Sequence, residues 1–422
     1  MSALHQLTAT AARAGLLDGT LTARTLVEAC LARIAARDSD VRAWLALHPA
    51  ALEQADRLDT LPLAKRGRLH GLPIAVKDVF DTSDLPTTHN SPLYQGFQPA
   101  ADAAAVDLLR AEGAIIVGKT DTTEFAAAGR DAATGNPHDL SRTSGGSSAG
   151  SAAAVADFHV PLALTTQTGG STIRPASFCG IYGFKPSAGL VSREGVKLYS
   201  ISFDTVGWYG RTVADIGLLA EVYGITEALT AITHGPYRDQ LDEASLSALS
   251  IAAQRLAEAG HRVHVIALPQ NFDQLDLYHR TILHREGAAA FRTLARRHGP
   301  DLHDDFHHRV ENRDGRSLAD LRAAYDGAAA AQLVFDDIAA DFDLVLAPSA
   351  PGIAPVGRKP GNPVFNAMWT LLRVPCLNIP VTMPANAMPV GVTALSMRYD
   401  DVALLQRAAI IAPILDPTPE MD

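Results

Sequence analysis

The chain has 422 residues and a formal net charge of −10, with 47 % hydrophobic and 19 % charged residues, a globular balance that rules out disorder as its main state. A net negative chain is a poor electrostatic match for nucleic acid or an anionic membrane, so neither is expected as a partner. Three scattered cysteines, Cys30, Cys179 and Cys376, exclude a disulfide framework, and the absence of a basic leader or of about 18 successive apolar residues points to a cytoplasmic protein.

Residues 3–35 carry helical apolar spacing, and Thr22 is placed to cap the second of two helices. Residues 71–80 read as a buried strand with one lysine in it, 101–112 as an amphipathic helix and 114–117 as a short buried strand. A polar loop over 129–143 leads into a small-residue stretch, 144–156, read as loop then helix. Residues 162–166 are strand-like and run into Gly169-Gly170-Ser171. Further on, helices are expected at 213–223, 243–259, 275–297 and 318–340, and strands at 263–268, 344–347, 378–383 and 390–396. Strands alternating with helices predict an α/β fold around a sheet. No repeat or linker divides the chain, so one large domain is expected.

Three motifs mislead. Gly113-Ala-Ile-Ile-Val-Gly118-Lys119-Thr120 matches the P-loop pattern. A P-loop needs a preceding strand and a turn that cradles anions, whereas Ala-Ile-Ile-Val is itself a strand, so Lys119 is expected to be structural. Gly146-Ser-Ser-Ala-Gly150 matches the nucleophile elbow of α/β-hydrolases with Ser148 at its tip, but follows a polar loop instead of a strand. The group His303, Asp304, Asp305, His307 and His308 has helical spacing and reads as a solvated helix face; no metal is expected.

Three segments remain: Gly71-Leu-Pro-Ile-Ala-Val-Lys77-Asp78, Gly145-Gly146-Ser147-Ser148-Ala-Gly150-Ser151, and Thr166-Gln-Thr-Gly169-Gly170-Ser171-Thr-Ile-Arg174-Pro175. Only six of the 36 basic residues are lysines, so a lysine inside an apolar strand stands out. Desolvation there disfavours its charged form and lets it act as a base. Glycine-rich turns allow close backbone approach, and their N–H groups can form an anion-binding nest. A serine in such a nest could be a nucleophile, although each segment taken alone is equally open to a structural reading.

Taken together, these segments resemble the amidase signature family. Its hallmarks are a Gly-Gly-Ser-Ser-Gly-rich segment, a following Gly-Gly-Ser turn and an upstream lysine in a Gly-(hydrophobic)-Pro strand. Gly118-Lys119-Thr120 with Glu124-Phe125, Gly135-Asn136-Pro137, Cys179-Gly180 to Phe184-Lys185-Pro186 and the 374–392 tail also match. The resemblance implies a mixed β-sheet core covered by α-helices on both faces. It divides the chain into an N-terminal helical layer (about 1–60), a signature core (about 71–211), a more variable segment (about 227–342) and a C-terminal return to the core (about 343–422). It implies Ser171 as nucleophile, Ser147 as bridging serine on a cis peptide, and Lys77 as base. Backbone N–H groups of Thr168, Gly169, Gly170 and Ser171 would form the oxyanion hole, with Arg174, Gly145 and Gln167 beside the substrate. No cofactor is implied; the partners are a small amide and water, and base rates alone favour a homodimer.

Two departures bear on substrate. The family pattern is Thr-Asp-x-Gly-Gly-Ser-Ile-Arg; here Gln167 replaces the acid and Arg174 stands three residues after the serine instead of two. Malonamidase-type members resemble this placement. An Arg174 without its motif carboxylate finds a counter-ion either in Glu194 or Asp204 or in the substrate, which predicts a short amide bearing a carboxylate. A stand-alone amidase is therefore the leading expectation. A glutaminase-type subunit of an aminoacyl-tRNA amidotransferase and a catalytically silent binding protein are the alternatives.

Overall fold

A computed structural model describes residues 3–225, 237–383 and 387–417. Eleven strands occur among them: β1 (Trp44–Leu47), β2 (Pro73–Lys77), β3 (Ile115–Thr120), β4 (Gly135–Asn136), β5 (Asp139–Thr143), β6 (Leu162–Gln167), β7 (Tyr182–Lys185), β8 (Thr205–Gly210), β9 (Val345–Pro348), β10 (Cys376–Val381) and β11 (Val390–Leu395). Nine form one sheet in the order β1-β3-β2-β6-β8-β7-β10-β11-β9. β3, β2 and β6 run parallel, and every other pairing is antiparallel.

The helices are α1 (Ala9–Asp18), α2 (Ala23–Val41), α3 (Ala51–Asp59), α4 (Ala104–Ala111), α5 (Ala149–Ala156), α6 (Ile173–Cys179), α7 (Val213–Val222), α8 (Glu243–Glu258), α9 (Leu275–His298), α10 (Asp304–Val310), α11 (Leu318–Ala340), α12 (Val364–Leu371) and α13 (Asp401–Leu415). Thr22 caps α2 as its sequence position implies, accepting from Thr25 N.

Strand alternation shows how both faces are covered. Ile74, Val76, Leu162 and Leu164 enter the main core, while Ala75 and Ala163 enter a second one with Ala152, Ala153 and Val155 of α5. Strands buried on both faces read as continuous apolar runs, which is why β2 and β6 stand out in the sequence. α5 lies close because it is built of small residues. A Cβ on Gly150 would come within 2.3 Å of Ala43 O and 2.5 Å of Asp121 N, so only glycine fits.

Two expectations fail. Residues 263–268 are apolar except for His264 but belong to neither sheet, and Val265 is 73 % exposed; a short apolar run alone does not make a strand. The loop expected over 129–143 instead carries the β4–β5 hairpin, in which Gly135 and Asn136 are buried and only the middle of β5 is exposed.

Candidate active site

The site lies where the parallel strands end, the edge at which open α/β sheets form crevices. Lys77 is the last residue of β2 and is completely buried. Its Nζ lies 2.7 Å from Ser147 Oγ, 2.9 Å from Ser148 Oγ and 2.9 Å from Thr166 Oγ1. Among the described residues no carboxylate pairs with it. Burial holds its pKa well below the ordinary lysine value, and the more distant Asp204 opposes this only in part. A neutral amine has two N–H donors and one lone pair, and three hydroxyls meet that set. Ser148 Oγ already donates to Thr166 O, at 3.3 Å, so it receives from Lys77.

Ser147 and Ser148 lie in the loop between β5 and α5. The Gly146–Ser147 peptide is cis, the isomer the family resemblance implies at this bond. Gly145 before it has φ +87°, and a Cβ there would fall 2.8 Å from Pro175 Cα, so this turn needs glycine twice over. Ser148 N donates to Ser171 O at 3.4 Å, drawing the two serine turns together. Ser147 and Ser171 are 4 % and 7 % exposed.

Residues 168–171 follow β6 directly, and each of their carbonyls is tied down. His279 Nε2 donates to Thr168 O (2.9 Å), Thr370 Oγ1 to Gly169 O (2.9 Å), Arg174 N to Gly170 O (3.0 Å) and Tyr209 Oη to Ser171 O (3.4 Å). In a trans peptide the N–H points opposite to the C=O, so pinning the carbonyls turns the N–H groups of Gly169, Gly170 and Ser171 the other way. Among the described residues none of those three N–H groups donates a hydrogen bond. Such an array can receive an oxyanion.

Thr168 is also held through its hydroxyl, which donates to Asp204 Oδ1 at 2.5 Å. Asp204 Oδ2 accepts from Tyr199 N and Ser200 N. Burial raises the Asp204 carboxyl to about 6. Its location follows from register: β8 pairs antiparallel with β6, Gln167 opposite Thr205, so the residue before β8 meets the residue after β6.

Arg174 is 4 % exposed. Its Nη2 donates to Gly146 O at 2.5 Å, while Nε and Nη1 have no partner. Neither sequence-level counter-ion reaches it: Asp204 is committed elsewhere, and Glu194 is exposed. Burial lowers the guanidinium to about 10. Arg174 Nη1 lies against Gly170, as does Asn366, whose Oδ1 is likewise unpartnered.

Gln167, expected beside the substrate, is fully buried and supports the turn from behind. Its Oε1 accepts from Thr172 N and Ile173 N, and its Nε2 donates to Thr370 Oγ1. Gly145 likewise serves the turn. The sequence reading missed His279, Asn366 and Thr370, since nothing in their local motifs marks them; it quoted Thr166 without its contact to Lys77, and it offered Asp204 to Arg174, whereas Asp204 holds the Thr168 hydroxyl.

The misleading motifs have structural places. Lys119 lies at 3.0 Å from Asp78 Oδ1, and its Nζ also donates to Phe80 O and Thr87 Oγ1 inside the core. Around α10, His308 faces Asp314 at 3.5 Å and His307 Nε2 donates to Gly299 O. Among the described residues no group of three or more His, Cys, Asp or Glu side chains is arranged to hold a metal, and no helix is long and apolar enough to cross a membrane.

Comparison with known proteins adds three findings. The profile of the family described as Amidase matches residues 25–229. The chain is 33 % identical to a glutamyl-tRNA(Gln) amidotransferase subunit from Chloroflexus aurantiacus over 470 aligned positions, covering 96 % of each. Among solved structures, an amidase superposes with a TM-score of 0.85 at 28 % identity, covering 96 % of this chain and 98 % of that one. The peptide amidase of Stenotrophomonas maltophilia gives 0.81 at 26 %, covering 97 % of each.

Proposed function

The chain belongs to the amidase family, and from that premise we propose that it hydrolyses a small carboxamide to a carboxylate and ammonia through an acyl-enzyme on Ser171. The observation that carries this reading is Lys77: a buried amine, its charged form disfavoured by desolvation, 2.7 Å from Ser147 Oγ beside two serine turns. Ser171 Oγ attacks the amide carbon while its proton passes to Ser147, whose own proton moves to Lys77. The carbonyl oxygen becomes an oxyanion facing the N–H groups of Gly169, Gly170 and Ser171. The relay then runs backward: Ser147 protonates the amide nitrogen and is reprotonated from Lys77, and the C–N bond breaks to release ammonia. Water, deprotonated through the same relay, cleaves the ester and frees the acid.

The test uses Ser171→Ala, Ser147→Ala and Lys77→Ala. Ser171→Ala should abolish both amide hydrolysis and labelling by a fluorophosphonate. Ser147→Ala and Lys77→Ala should each lower kcat by about 10³-fold or more, since residues that act as a unit lose most of the rate singly. Near-normal turnover by Lys77→Ala at neutral pH would refute the relay.

The reading extends to substrate class. Arg174, buried beside Gly170 with two donors unpartnered, supports an amide that brings its own carboxylate to the guanidinium fork. Relatives over the full length favour a second reading, a glutaminase-type subunit of an aminoacyl-tRNA amidotransferase. The match to these relatives places the chain in the family without singling out its malonamidase-type branch. Gln167 and the shifted Arg174 count against the subunit reading, because they depart from the family pattern.

A further inference from the structure

We propose that His279 of α9 is a positioning residue for the oxyanion turn, setting the direction of the Gly169 N–H by holding the carbonyl of the same peptide group. The inference rests on the Ser171 reading above and adds to it a residue outside the segment that the family profile matches, 25–229.

The Thr168–Gly169 peptide carries its carbonyl on Thr168 and its N–H on Gly169. Thr168 O can only accept, so the His279 nitrogen 2.9 Å away must carry the proton and donate. That fixes the tautomer with hydrogen on Nε2. The opposite edge of the same planar group is then the N–H that faces the oxyanion. Glycine has the widest backbone freedom of any residue, and two adjoin here, so the plane of this peptide is not set by local preference. It is set by what grips it.

The grip is rigid. His279 is 2 % exposed, and its ring stacks on Phe203 with centroids 4.6 Å apart and planes 16° off parallel. Phe203 precedes Asp204, which takes the Thr168 hydroxyl. One ring therefore supports both attachments of Thr168. A second link from α9 reinforces the same loop: Glu286 accepts from Ser202 N, Ser202 Oγ and Ser200 Oγ, two of the residues just before Asp204. Burial also disfavours the charged imidazolium, so the donor is a neutral ring held by packing.

The test compares His279→Phe, which keeps the stacked ring and loses the donor, with His279→Gln, which keeps an N–H donor at similar reach. Two rates are read: phosphonylation of Ser171 by a fluorophosphonate, and kcat and KM on a small primary amide, with thermal melting beside them. His279→Phe should slow both reactions about 10–100-fold with KM within about two-fold, somewhat less than losing an oxyanion donor outright. His279→Gln should recover at least a five-fold part of that loss. If His279→Phe does not fold, His279→Asn takes its place, being one methylene too short to reach. Normal rates in a folded His279→Phe, or equal losses in the Gln variant and the donor-less variant beside it, would overturn the proposal. Ser171→Ala separates the two levels: its labelling at the normal rate would overturn the nucleophile assignment itself, whereas an inert Ser171→Ala beside a normal His279→Phe would overturn only this inference.

Discussion

At the scale of single residues, the proposed chemistry turns on two basic side chains buried without a carboxylate in contact. In the proposed relay Lys77 acts in its neutral form, which burial favours. Its pKa is lowered by burial, and the base is the unprotonated form, so kcat/KM should rise with pH as the lysine loses its proton. The depressed pKa moves that rise toward neutral pH, away from the alkaline range of an ordinary lysine. Measuring kcat/KM from about pH 5 to 10 should give a rising limb; a profile that peaks in acid and declines above neutrality would indicate a carboxylate base instead. Arg174 is useful because it stays charged. With Nε and Nη1 unpartnered, its alanine variant should lose about 2–4 kcal/mol in kcat/KM for amides bearing a carboxylate, the cost of breaking a desolvated charge pair. Neutral amides of the same length should lose far less. Equal losses would leave Arg174 with its other visible role, donating to Gly146 O next to Ser147.

At the scale of elements, what the sequence makes legible is whatever is encoded locally. β2 and β6 are apolar on both faces, so they read as buried strands, and the lysine in one of them is conspicuous. Gly-rich turns announce themselves because only glycine takes the φ of +87° at Gly145 or the 2.3 Å approach at Gly150. Helix α9 is likewise visible from its spacing. What is not legible is contact between elements distant in the chain. Asp204 reaches Thr168 only because β8 lies antiparallel to β6 in one register, and β8 escaped the sequence reading altogether. His279 is one of five histidines between residues 261 and 298. Its position on α9 gives no sign that it faces Thr168 while His284 meets Asp314. The mistaken strand at 263–268 is the converse case: a short apolar run is a property of the segment, but a strand is a property of a pair.

At the scale of the whole molecule, the question is whether the chain works alone. Its relatives of 33 % identity are subunits by name, and the alignment with them runs to 470 positions, more than the 422 residues present here. Those relatives therefore carry segments that this chain lacks. The net charge of −10 gives the chain no long-range attraction for a polyanion such as tRNA. A tRNA-serving member of a complex would have to leave that binding to a partner, and its ammonia would have to be consumed by the partner's reaction. A stand-alone amidase has neither requirement, since the base relay, the nucleophile turn and every carbonyl support described above come from one chain. The purified protein alone should therefore release ammonia from short carboxylate-bearing amides, at a rate unchanged by ATP and aminoacyl-tRNA. Glutamine belongs in the same panel, because it too is a primary carboxamide bearing a carboxylate. A chain inert on every short amide, but active on glutamine once a co-purified partner, ATP and misacylated tRNA are supplied, would overturn the stand-alone reading in favour of the amidotransferase one. The Ser171 acyl-enzyme would survive that outcome, because both readings require the same first half-reaction.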